Sequence, residues 1–199
     1  MNNTKGLTLL RRAGVSAALG AVAAFGVGCA TMSAEECMVA DWHGIGMADA
    51  RAGRAGNYLA NRAGDCAEAG YPADSEAWYQ GFADGLGWFC TLDNGFRYGL
   101  EGQRYQQSCP PDLEPGFLEG YELGLAVHSA RARVSDLQGQ FDQATRALRK
   151  LERVDRPDRE AVAEQRDARD RIQHLLRVEE IELATLLGLA QGRGFSVPR

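Results

Sequence analysis

"WYQGFADGLGWFCTLDNGFRYGLEG", residues 78–102, decides the fold. Gly falls at positions 81, 85, 87, 95, 99 and 102, with an aromatic residue two or three positions ahead of Gly81 and Gly99. Trp78, Phe82, Leu86 and Phe89 recur at helical spacing, which places them on one broad face. Each Gly inside a helix costs about 1 kcal/mol of propensity relative to Ala. Several of them at helical spacing imply helices whose backbones touch, with the aromatics filling the space beside the contact. Aromatic stripes at this spacing are normally core; a ligand- or sugar-stacking platform is the functional alternative.

The same pattern returns elsewhere. "FLEGYELG" at 117–124 repeats "WYQGFADG" at 78–85, and "WHGIGMADA" at 42–50 is a looser copy. Phe117, Tyr121 and Leu125 again share a face. β-Branched residues are few and no alternating run persists, so the chain reads as all-α.

Helix limits follow from caps and breakers. Ser33 and Glu36 form a capping box that opens a first helix running to about Arg51. A second spans about Asn57 to Ala69 and stops at Gly70 before Tyr71-Pro72. A third starts at the Asp74/Ser75 cap and ends at Cys90; a fourth starts from Thr91 and ends near Gly102. Pro110-Pro111-Asp112 opens a fifth.

The pattern changes after about residue 129. Val134, Leu137, Phe141, Ala144, Leu148 and Leu151 form a 3–4 seam of three heptads. A helix unbroken from Asp112 to Val154 would span about 65 Å. Asp155-Arg156-Pro157-Asp158 is a turn, and the return helix carries Ile172, Leu176, Leu183 and Leu186 on one side. Gln165, Arg169 and Glu179 interrupt that seam. The short linker favours an antiparallel hairpin, and the interruptions leave room for self-association or a partner. The expected layout is a disulfide-braced helical domain at 34–129, a coiled-coil hairpin at 130–191 and a loose tail at 192–199.

The N-terminus reads as an address. Lys5, Arg11 and Arg12 precede an uncharged run of Ala, Gly and Val from Ala13 to Gly28, the layout of a signal peptide at 1–28. Gly26-Val27-Gly28-Cys29 resembles a bacterial lipobox, with Gly in the place usually held by Leu. On that reading Cys29 is acylated, residues 29–33 form the tether, and Ala30 in place of Asp points to the outer membrane. The alternative is a cut after Ala30 that releases a soluble periplasmic protein.

Lipid on Cys29 resolves an odd count of five cysteines into one plus four. Cys37, Cys66, Cys90 and Cys109 are spaced by 29, 24 and 19 residues, with no CxxC. Zinc sites use short paired spacings, so no metal is expected and two disulfides are. Three connectivities are open. Sequential pairing, Cys37–Cys66 and Cys90–Cys109, is preferred, because Cys90 ends one helix and Cys109 precedes another with a single short helix between.

The chain carries 22 basic and 27 acidic residues, for a net charge of −5. Without the first 28 residues it stands at 19 against 27, near −8. Such a surface does not suit nucleic acid, whose binding needs phosphate neutralisation.

No GxSxG elbow, P-loop, HExxH or DxDxDG loop is present. His43 lies two residues from Asp41, and such neighbours diverge on a helix. The chain is therefore expected to be non-enzymatic and free of cofactors. Trp42, Trp78, Asn94 and Arg97 are the candidate ligand or partner contacts.

The segments "ADWHGIG", "AWYQGFADGL", "FCTLDNGFRYGL" and "CPPDLEPGFLEGYELG" together resemble the bacterial lipoproteins of domain-of-unknown-function family 2799, over about Ser33 to Val127. The resemblance implies a lipid-anchored envelope protein, often with a helical tail, and no established activity.

Overall fold

The computed structural model describes residues 31–198. The signal segment and Cys29 lie outside the described residues. Those residues form seven α-helices and no strand: α1 (Ala34–Met38), α2 (Trp42–Arg51), α3 (Leu59–Glu68), α4 (Ser75–Phe89), α5 (Leu92–Leu100), α6 (Glu114–Glu152) and α7 (Arg159–Gly192). A 3₁₀ turn, Gly56–Tyr58, leads into α3.

The Ser33 capping box forms as expected, but the helix it opens ends at Met38. Asp41 then caps a new helix by accepting from the Gly44 N–H at 3.0 Å. Asp74 and Thr91 cap α4 and α5 in the same way. The sulfurs join Cys37 to Cys66 and Cys90 to Cys109, with Cα separations of 5.3 and 5.6 Å.

Two helix pairs make the head, α2 with α4 and α5 with α6. Both cross on glycine. A Cβ on Gly46 would overlap the Trp78 carbonyl, and one on Gly81 would overlap the His43 carbonyl. In the second pair, a Cβ on Gly95 would overlap the Phe117 carbonyl, and one on Gly120 would overlap the Leu92 carbonyl. Gly85 faces Met47 and Ala50, while Gly124 faces Phe96 and Leu100. The residues correspond one for one at constant offsets. Gly46, Ala50 and Gly53 match Gly95, Gly99 and Gly102; Trp78, Gly81, Phe82 and Gly85 match Phe117, Gly120, Tyr121 and Gly124.

The correspondence reaches the turns. Gly53 (φ 72°) and Gly102 (φ 69°) each end the first helix of a pair in the left-handed region, where a Cβ is disfavoured. The Phe89 ring covers Gly53 and the His128 ring covers Gly102, 2.7 and 2.5 Å from where a Cβ would sit. Phe89 and His128 keep the same offset as the other matched pairs on α4 and α6. The head is a duplicated helix pair, and each copy carries one disulfide.

α6 crosses the expected boundary near residue 129 without a break and returns through α7, capped by Asp158. The hairpin is held by the expected seams, with Ala144, Leu148 and Leu176 buried. The polar interruptions are absorbed locally. Glu179 accepts from Arg133 at 2.6 Å, and the Gln165 side chain donates to the Ala144 carbonyl at 3.4 Å. The C-terminus corrects the expectation of a loose tail: Phe195 is buried and stacks on Phe96 at 4.1 Å between ring centres. A lone aromatic beyond Gly194 has no period to reveal that contact.

Candidate functional site

Trp78 is fully buried and stacks on Phe82 at 4.6 Å; Trp42 is buried in the same cluster. Neither ring offers a face to a ligand, which corrects the expectation that they are contact residues. The indole N–H of Trp78 donates to Asp49 Oδ2 at 3.1 Å. Asp49 is buried too, and Arg62 grips it with two bonds at 2.6 and 2.7 Å. That bond with Asp49 is the main reason the Arg62 guanidinium is held above its usual range. A buried carboxylate shared by an indole and a guanidinium is fully partnered, as burial requires.

Asn94 and Arg97 do local work. The Asn94 amide donates to the Phe89 carbonyl at 2.8 Å and its oxygen accepts from Arg97, which also pairs with Glu101 at 3.5 Å. Arg97 nonetheless lines the rim of a cavity of about 580 Å³. Phe96, Leu100 and Phe195 supply its apolar wall, and Asp93, Glu101 and Arg131 its charge. The Arg131 guanidinium donates to the Pro198 carbonyl at 2.6 Å, closing the tail over that side. Two cations and two anions, with Ser196 between the tail residues Phe195 and Pro198, give the cavity a mixed polar rim.

In the second pair, Tyr105 is half-buried, and loss of water pushes its phenol up to about 12. Its hydroxyl donates to Glu114 at 3.0 Å and accepts from the Cys109 N–H at 2.9 Å, tying the second disulfide to the start of α6.

Sequence reasoning missed three features. Trp88 is 70 % exposed, with the Arg51 guanidinium 5.2 Å above its ring. Its signal was present, since the spacing that buries Trp78, Phe82 and Phe89 leaves Trp88 off their face. His43 meets Asp84 rather than Asp41, at 3.0 Å across α2 and α4. On α7, Leu175, Val178, Ile181 and Leu189 remain between 47 % and 68 % exposed, along a flank turned away from α6. Among the described residues, no group of three or more His, Cys, Asp or Glu is placed to hold a metal, and no helix is long and apolar enough to cross a membrane.

Residues 41–126 match the profile of a family described as a protein of unknown function (DUF2799). These residues are a domain of that family. The match opens at the N-cap of α2 and closes on α6 just past Gly124, so the DUF2799 domain coincides with the duplicated glycine-packed pairs. No curated protein and no solved structure matches the chain.

Proposed function

We propose that the protein is a lipid-anchored lipoprotein of the cell envelope, facing the periplasm, with a structural or protein-binding role. The observation that carries the role is the apolar flank of α7. Leu175, Val178 and Ile181 recur every three residues on one helix of a charged hairpin and, like Leu189 further on, are left to water; exposed apolar surface of this kind marks an interaction site. The address is supported by the order of charge, apolar run and Cys29, and by two disulfides, which suit an oxidising compartment.

Intact-mass measurement on the mature protein tests the address. An acylated Cys29 is expected, and an unmodified start at Thr31 contradicts it. Crosslinking in the envelope tests the role, with Val178→Glu and Ile181→Glu in the full chain. Both variants should fold and lose the crosslinked species; unchanged crosslinking would refute the α7 flank as the contact.

A second reading, a glycan-binding module, is favoured by one observation. The exposed indole of Trp88, beside Arg51, offers a stacking face that Trp78 does not. Peptidoglycan fragments should quench tryptophan emission, and Trp88→Ala should abolish the effect; quenching that survives this change would remove the reading.

A further inference from the structure

Thr31 is not a free approach to the head. Its N–H and its hydroxyl each donate to Asp65 Oδ2 at 2.6 Å, and the Met32 N–H donates to the same oxygen at 3.3 Å. Its carbonyl accepts from Arg62 at 3.1 Å, and Arg62 is fixed in turn by the buried Asp49. Met32 is buried, with its sulfur 3.8 Å from Cys66 Sγ. The disulfide from Cys66 to Cys37 closes the ring back onto α1. Two side chains from α3 and one disulfide therefore make Thr31–Cys37 part of the rigid head.

We infer that this clamp seats the α1–α3 end of the head directly on a zwitterionic lipid surface, with Met38 and Val39 in contact with it. The inference rests on the lipoprotein reading proposed above. An acyl group on Cys29 is two residues from Thr31, and a chain spans at most about 3.6 Å per residue, or about 7 Å in all. That reach is about the depth of one headgroup layer. A residue fastened to the body at that distance brings the body to the headgroups.

The surface around the clamp fits this occupant. Met38 and Val39 directly follow Cys37 and are 59 % and 76 % exposed. Tyr71, also exposed, is held by a 2.8 Å bond from its N–H to the carbonyl of Cys66, the disulfide partner of Cys37. The exposed charges within three residues of them in sequence, Glu35, Glu36, Asp41, Glu68 and Asp74, are all acidic, while Arg62 is committed to Asp49. Anionic lipid would be repelled by that rim.

The test uses the full acylated protein in phosphatidylcholine vesicles whose acyl chains are brominated close to the headgroup. Val39→Trp should show quenching beyond that of the parent protein. Asp65→Ala in the same background should lose most of the added quenching, and Thr31→Ala, which leaves α3 untouched, should lose part of it. Intact mass of the same sample separates the failures. An acylated Cys29 without added quenching in V39W overturns the seating and leaves the anchor standing. Added quenching that survives both clamp variants overturns the role of Asp65, and an unmodified start at Thr31 overturns both readings.

Discussion

The two helix pairs of the head share a backbone solution and differ in what fills it. Both cross on small residues, Gly46, Ala50, Gly81 and Gly85 in the first and Gly95, Gly99, Gly120 and Gly124 in the second. Behind the crossing, the first pair sets Asp49 against Trp78, and the matched positions in the second hold Tyr98 and Phe117. The first thus carries a buried carboxylate bound by an indole and Arg62; the second carries an aromatic cluster joined by Phe89, Tyr105 and Tyr121. Close approach is the invariant of this fold, and the core chemistry beside it is free to be ionic or aromatic. The outer faces diverge as well. Val127 is fully buried, while its counterpart Trp88 is left open.

The largest break in the comparison should come from Asp49→Ala. It strands Arg62 and the Trp78 N–H, and removal of one partner of a buried pair costs about 3–5 kcal/mol. Tyr98→Phe, at the matched position, removes only a 3.5 Å bond to the Arg104 carbonyl and should cost less than about 1 kcal/mol in urea unfolding. Equal losses would refute the ionic-versus-aromatic division.

Replacing either cystine by a serine pair should cost about 3 kcal/mol, with the two pairs within about 0.5 kcal/mol of each other, because loop entropy varies slowly with length. Thermal unfolding under oxidising conditions measures this, and a difference of several kcal/mol would show that one disulfide alone braces the head.

The smallest effect concerns the clamp, which the second pair lacks. Bonds from the Thr31 hydroxyl and N–H hold the Asp65 carboxyl below its usual value of 3.8, aided by the nearby Arg62 charge. A carboxyl lowered on folding contributes stability above the unfolded value, and that contribution is lost as pH falls through the lowered one. Carboxyl NMR should place the Asp65 midpoint below 3.8, and Thr31→Ala should move it upward; a normal midpoint in the parent protein would contradict the clamp.

Much of this was legible in residue order. The glycine repeats announced close helix contact, the caps at Ser33, Asp74 and Thr91 marked three helix starts, and the 3–4 seam marked the hairpin. Which repeat meets which was not legible, since one glycine spacing fits several partners. Asp49 and Arg62 escaped notice because their bond crosses between helices. Trp78 was named a contact by residue type although its helical position already placed it on the core face, and Trp42, at the start of its helix, had no stripe to place it.

The central claim is that both crossings need glycine for space and not for flexibility. Thermal unfolding of Gly81→Ala, Gly120→Ala and Gly139→Ala tests it most directly. Gly139 lies inside α6 with nothing within 4 Å of a Cβ, so alanine there should stabilise by about 1 kcal/mol through helix propensity. At Gly81 and Gly120 the same change forces backbones apart and should destabilise by about 1–3 kcal/mol in each pair alike. Stabilisation at all three positions would contradict the duplicated close crossing.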